Sequence, residues 1–374
     1  MKIRNITLFR CERPFSLGFA SSKATRTKTE AIIIRLDCDS AVSGFGESTP
    51  RHYVTGETIE TVSHAIRDVM AEVLLGESFS SIEDIEGILS VLSRICEKES
   101  GRLCNSALGA VDLALLDAMG KNLGAPAHGF LGSLRRDSLP YSLSIPLLPL
   151  SRIRDFLPLI DAHSFSSLKI LAGRDRSDIL DRLRFVREEI GFQDKITIEA
   201  NGAWTADEAI DILNHAGIFG IAWAEQPTAK GDLEGMQRVK EATGIPIIAD
   251  ESMCSLSDAR LLIDQKACDA VNIKISKCGG LLRSKEIALF AHAHGVRCRI
   301  GAHVGETEIL SAAGRALART VPEILHYDGF SSILFKNIKK NEPHRANEND
   351  RDRKCKNGLG IEFQSQGLTE IWSS

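Results

Sequence analysis

The sequence has no C-x-x-C pair, no span of about 20 apolar residues, and no long basic run before Lys336. Each absence excludes a class of protein. Nine cysteines (Cys11, Cys38, Cys96, Cys104, Cys254, Cys268, Cys278, Cys298 and Cys355) are odd in number and irregularly spaced, which argues against a zinc site or a dithiol centre. A reduced, cytoplasmic compartment is expected. Without an apolar span no membrane helix is expected. The start Met1-Lys2-Ile3-Arg4 runs into an alternating pattern with charges at Arg10 and Glu12, unlike the apolar core of a signal peptide. A soluble protein with no membrane partner follows. The formal net charge is only −4, so nucleic acid is not expected as a partner either.

What is present is ordinary globular composition, 43% hydrophobic and 26% charged over 374 residues, enough for one large domain and a smaller one. Ile3 to Arg10 and Ala31 to Asp37 read as strands. Glu57 to Leu75, Ile82 to Glu97 and Ala107 to Lys121 show helical spacing, and Ala107, Ala110 and Ala114 suit close packing on a neighbour. Residues 1–125 are therefore expected as a separate α+β domain. From Leu139 short apolar strands alternate with amphipathic helices. They are Tyr141 to Ile145, Ser167 to Leu171, Lys195 to Glu199, Ile221 to Glu225, Ile245 to Asp250, Ala270 to Lys274, Val296 to Ile300 and Ile324 to Tyr327. Turns at 191–194, 244–246 and 294–296 punctuate them. Eight such units predict an α/β fold, a (β/α)8 barrel over 126–335. Residues 336–374 are expected as a charged loop, Lys336 to Lys356, followed by a C-terminal segment.

In such a barrel, chemistry gathers where strands end on the C-terminal face. Glu199, Glu225 and Asp250 end three successive strands at intervals of 26 and 25 residues, and Lys274 follows after 24. Three carboxylates converging in a low-dielectric mouth repel one another unless a hard cation with a preference for oxygen neutralises them, which points to one Mg²⁺. A single strand-terminal carboxylate is more often a helix cap or a salt-bridge partner. Three in register with a lysine are not.

Five motifs then carry a resemblance over nearly the whole chain. They are Ala-x-x-Ala-x-Asp-x-Ala-x-x-Asp at Ala107 to Asp117, Glu-Ala-Asn-Gly-Ala-Trp at 199–204, Glu-Gln-Pro at 225–227, Ile-Ala-Asp-Glu-Ser at 248–252, and Asn-Ile-Lys-Ile-Ser-Lys-Cys-Gly-Gly at 272–280. Together they resemble the enolase superfamily, in particular its muconate-lactonizing and dipeptide-epimerase branch. The resemblance implies a modified barrel under an N-terminal capping domain completed by the C-terminal segment. It also implies a Mg²⁺-dependent isomerase or lyase that removes the proton α to the carboxylate of a small substrate and holds the resulting enediolate on the metal. An α-proton is too weakly acidic for a lysine unless the developing charge is stabilised in a water-poor site. Lys274 is the expected base, and Asn201 and Glu251 are expected to orient the ligands. A homo-oligomer is expected as well.

The chain departs from that pattern in two places. A Lys-x-Lys motif is expected on the second strand, and here Leu171 stands where its second lysine belongs. Lys169 matches the first and lies about 6–7 Å deeper along the strand. Glu199 replaces an aspartate, one methylene longer. Cycloisomerisation, epimerisation and dehydration remain open, and the alternative is a catalytically impaired member that binds metal and carboxylate or serves as an assembly partner. His303, at the end of the seventh strand, is a candidate proton donor or orienting group. Glu306 follows it. Arg51 and Tyr53 are candidates for substrate contact, Arg51 for a distal carboxylate. Asp328 is what remains of an Asp-x-Asp that holds a substrate amine in dipeptide epimerases.

Overall fold

The computed structural model describes residues 1–154, 165–191, 195–329, 357–361 and 367–374. The charged stretch Lys336 to Lys356, with Cys355, and the turn residues 192–194 lie outside the described residues. Five strands open the chain: β1 (Ile3–Cys11), β2 (Pro14–Ala20), β3 (Thr25–Lys28), β4 (Ala31–Cys38) and β5 (Ser43–Ser48). The barrel strands are β6 (Ser142–Ile145), β7 (Ser167–Leu171), β8 (Lys195–Glu199), β9 (Ile221–Glu225), β10 (Ile247–Ala249), β11 (Ala270–Ile273), β12 (Arg297–Ile300) and β13 (Ile324–Tyr327). A last strand, β14 (Leu368–Ser373), pairs antiparallel with β1 and completes a four-stranded cap sheet in the order β14-β1-β4-β5.

The eight barrel strands run parallel in sequence order, and a bridge between Tyr141 and Tyr327 joins the first edge to the last. Parallel strands covered on both faces need apolar runs, and Ile247-Ile248-Ala249 and Ala270-Val271 supply them. Among the polar residues of these strands, Ser142, Lys169, Thr197, Asn272 and Arg299 are buried. Three of them meet inside the barrel, where Arg299 donates to Thr197 and to Ser142.

Helix Asn105–Leu123 is buried on nearly every side, because the cap sheet lies on one face and the barrel on another. The alanines read from the sequence are where β5 approaches: a methyl group on Gly44 or Gly46 would run into the carbonyl oxygens of Ala114 and Ala110. The two aspartates of the same helix satisfy backbone amides elsewhere. Asp117 accepts from Phe45 N at 2.9 Å and Leu359 N at 2.8 Å, and Asp112 accepts from Leu281 N. Buried amides need such partners, which gives both motif positions a structural task.

Three details differ from the sequence reading. Glu57 to Leu75 is not one α-helix: it begins at Ile59 with a capping box at Thr58 and passes through a π-helical stretch, Ala65–Met70. Residues 14–28 form a two-stranded hairpin, β2 with β3, and Ser43–Ser48 forms β5, strands that the sequence pattern does not announce. Ser16, Gly18, Gly44 and Gly46 dilute the β-branched signal there. Among the described residues no helix is long and apolar enough to cross a membrane.

Buried carboxylates clamp the cap onto the barrel. Glu47, on β5, accepts from Thr307 N (2.7 Å), Thr307 Oγ1 (2.7 Å) and Leu310 N (3.0 Å) at the start of helix Glu308–Thr320. Burial pushes its carboxyl from 4.5 up to about 7, despite those bonds. Between the two values the folded chain holds a proton that the unfolded chain has released, so stability from this group is full below the unfolded value and declines as pH rises through about 7. Glu47→Gln, which cannot ionise, should therefore gain stability relative to wild type between about pH 5 and about pH 7.5, by up to roughly 3 kcal/mol. Urea midpoints across that range measure it, and a pH-independent gap would contradict it.

Candidate metal centre

Strand register builds the centre. Glu199 ends β8 directly opposite Glu225 at the end of β9, and Asp250 follows β10 by one residue. One carboxylate oxygen from each lies within 4.8 Å of the others, and all three residues are buried. The backbone turns sharply behind two of them: Asn201 and Gln226 adopt positive φ of 52° and 37°, conformations that cost energy outside glycine. Gln226 earns its place by accepting from Asp250 N (2.9 Å) and Ser252 N (3.1 Å). Asn201 N donates to Glu199 Oε1 at 2.7 Å, and its side chain donates to Glu251 Oε1 at 3.3 Å.

Among the described residues, four cations surround these acids. Lys274, just past β11, lies 2.5 Å from Asp250 Oδ2, and Lys277 lies 2.6 Å from Asp250 Oδ1. Lys169 reaches Asp328 (2.8 Å), Glu225 (3.4 Å) and Glu199 (3.8 Å). Arg299 grips Asp328 at 2.6 Å and approaches Glu225 Oε2 at 3.5 Å. Asn272 donates to Glu225 Oε1 at 2.5 Å.

The charges are unevenly shared. Burial drives Glu199 well above the ordinary carboxylate range, reinforced by Glu225 and Glu251. Burial also raises Asp250, but Lys274 and Lys277 outweigh it and hold that carboxyl below its usual range. Glu225 is likewise raised by burial and pulled back below normal by Lys169 and Arg299. For Lys274 burial favours the neutral amine, and Asp250 and Glu251 overcome it.

The triad suits a hard dication. It offers carboxylate oxygens only, and beside it Glu251 Oε2 and Asn201 Oδ1 are buried without a hydrogen bond. Such orphaned acceptors are what a cation and its attached water would satisfy. The centre is able to bind a metal on donor type, spacing and burial together.

Above it lies a pocket of about 110 Å³. Lys274, Lys169, His303, Arg51, Tyr53, Asp328, Asn201, Glu251 and Glu199 all line it. Glu306 stands behind instead: its Oε1 accepts from His303 N at 2.6 Å, and burial pushes its carboxyl up to about 8. Leu171 faces the pocket and packs with Phe15 and Phe19 of the β2–β3 hairpin, with Leu147 and Val304 beside them. Arg299, Lys277 and Asn272 were not singled out from the sequence. Lys277 lay unassigned inside the last motif, and the sole hint for Arg299 was a charge on a strand otherwise fit for burial.

Residues 153–367 match the family described as enolase C-terminal domain-like, and residues 4–132 match the mandelate racemase / muconate lactonizing enzyme N-terminal domain. An L-Ala-D/L-Glu epimerase of Bacillus subtilis is 31% identical over 345 residues, 90% of each chain. An N-succinyl-L-Arg/Lys racemase of Bacillus cereus is 26% identical over 99% of this chain and 98% of its own, and the crystal structure of that racemase superposes with a TM-score of 0.89 over 100% and 99%. Muconate lactonizing enzyme of Pseudomonas fluorescens shares the fold at a TM-score of 0.86 and 23% identity, over 98% of each chain.

If the triad holds the ion, Glu225→Gln should weaken Mg²⁺ or Mn²⁺ binding by at least about 100-fold, and Asn201→Ala by less. Calorimetric titration decides it. Equal affinity in wild type and Glu225→Gln would remove Glu225 from the ligand set.

Proposed function

The chain belongs to the mandelate racemase / muconate lactonizing enzyme family of the enolase superfamily, and from that premise we propose a Mg²⁺-dependent isomerase or lyase in which Lys274 is the single base that removes the α-proton of a small carboxylate. The observation that carries the single-base reading is the apolar wall at Leu171. Glu199, Glu225 and Asp250 would hold the ion. When bound, Mg²⁺ supplies Lewis-acid stabilisation of the negative charge that develops on the substrate carboxylate.

The chain's own residues do the rest. Lys274 Nζ, lining the pocket at the end of β11, takes the proton as a neutral amine, a form it reaches only when released from Asp250, which at 2.5 Å holds it charged. Lys277 keeps its hold on the other oxygen of Asp250, so this carboxylate stays in position when Lys274 turns to the substrate. Glu251 and Asn201 brace one another and the Glu199 turn. Leu171, Phe15 and Phe19 exclude water from one wall and carry no proton.

Epimerisation needs a second proton carrier on the opposite face. Lys169 is a poor one, because it is buried against Asp328, Glu225 and Glu199. Cycloisomerisation or syn elimination, which one base can serve, is the better reading. A free substrate amine, as at the N-terminus of a dipeptide, would have to take Asp328 from Arg299 and Lys169, both within 2.8 Å of it. That disfavours an unblocked dipeptide. An impaired member is not favoured, since the triad is assembled, Glu199 and Lys274 line one pocket, and the relatives are enzymes. Eight buried free cysteines among the described residues support a reducing, cytoplasmic setting.

Incubation of a carboxylate panel with the protein and Mg²⁺ in D₂O, followed by NMR, tests the assignment. Wild type should introduce deuterium α to the carboxylate with one configuration retained. Lys274→Ala should slow exchange by about 10²–10⁴-fold. Leu171→Lys should open the second face and give loss of configuration. Exchange undiminished in Lys274→Ala would dismiss Lys274, and configurational scrambling by wild type would dismiss the single-base reading.

A further inference from the structure

His303 lies three residues beyond β12, and its ring lines the pocket beside Arg51 and Lys274 while only 5% of the residue is exposed. Its Nδ1 sits 2.9 Å from the carbonyl oxygen of Thr49. A carbonyl can only accept, so the ring proton is on Nδ1 and Nε2 is left as an acceptor. That Nε2 is buried and has no hydrogen-bond partner among the described residues.

The orientation is firmly held from both sides. Thr49, on the cap, fixes the ring, and Glu306 fixes the backbone of His303. Burial first, then Lys274 and Arg51, hold the imidazole well below its ordinary pKa, which favours the neutral ring, with its single proton directed at Thr49. Buried polar atoms are normally paired, and an orphan held rigidly at a pocket wall marks a place where a ligand supplies the missing donor.

We infer that His303 Nε2 accepts a hydrogen bond from an N–H or O–H group of the substrate, beside the carbon from which Lys274 takes the proton, and thereby selects donor-bearing carboxylates. Which carbon is meant rests on the proton-abstraction reading above. Arg51 sharpens the choice between the two donors. Its guanidinium donates to the carbonyls of Pro50 (2.7 Å) and Val304 (2.5 Å) and, among the described residues, has no carboxylate at salt-bridge distance. An α-amide would satisfy both residues, its N–H on His303 and its carbonyl on Arg51, whereas a hydroxyl would satisfy His303 alone. A site built to pair a substrate N–H or O–H rejects the analogue that lacks it, because the acceptor is then left unpaired. His303 is a specificity-determining residue in this scheme, and not an acid.

The test is binding by calorimetry with Mg²⁺ present, using N-acetylated amino acids against their N-methyl analogues, and hydroxy acids against their methyl ethers. Wild type should prefer the donor-bearing member of at least one series by about 10- to 100-fold. His303→Ala should bring that ratio close to one, and His303→Gln, which keeps a carbonyl acceptor, should retain part of it. No preference in wild type, no binding of any donor-bearing acid, or a preference untouched in His303→Ala would each overturn the inference. Deuterium incorporation read on the same samples separates it from the catalytic proposal. Selectivity without exchange leaves His303 in its role and removes Lys274 from its own; exchange without selectivity does the reverse.

Discussion

Three carboxylates held within 4.8 Å of one another under complete burial are the constraint to which the rest of the molecule answers. At an effective dielectric of about 20, each pair of unit charges at that spacing repels by roughly 3 kcal/mol, before the cost of desolvation. The chain meets this with Lys274 and Lys277 on Asp250, and with Lys169 and Arg299 between Glu225 and Asp328. All of these groups except Lys277, which sits in the short helix Ile275–Cys278, lie on or directly after a barrel strand, so the parallel register that closes the fold also sets the distances between charges. Relaxing the register by one residue would turn the side chains to the other face and leave the ions buried apart.

The cap is fastened by the same kind of chemistry at lower charge density. Glu47, Glu57, Asp112 and Asp117 are buried carboxylates, and each takes backbone amides from a different element. Between them they tie β5 and helix Asn105–Leu123 to the barrel helices and to the chain near Leu359. This precision matters at the pocket, because the hairpin that carries Phe15 and Phe19 and the turn that carries Thr49 and Arg51 both come from the cap. A cap that rocked would move the apolar wall and the His303 ring together.

The pocket is thus two-sided by construction. One wall is ionic and holds Lys274; the other, Leu171 with two phenylalanines, is inert to proton transfer. Relatives named as epimerases and racemases share the fold, and in this chain the second barrel strand ends in an aliphatic group, Leu171. The buried cation that it keeps there, Lys169, is ion-paired with Asp328.

Sequence by itself determined the barrel, the cap and the triad. Those features depend on local periodicity, on unit length and on residue type at strand ends, all of which are written along the chain: Glu199, Glu225, Asp250 and Lys274 recur at nearly equal intervals because each strand-helix unit is nearly equal in length. It also exposed Leu171 as a departure. The strand signal of the β2–β3 hairpin and β5 is weakened by serine and glycine, and a π-helical stretch of six residues is too short to alter the apolar pattern of the helix around it. Only the tertiary structure decided what Arg299 and Lys277 do, that Lys169 and Asp328 are spent on each other, and that His303 presents a bare acceptor. The reason is physical: a charge acquires its role from partners brought near in space, and Arg299 finds Asp328 and Glu225, 29 and 74 positions away, only after the barrel has closed.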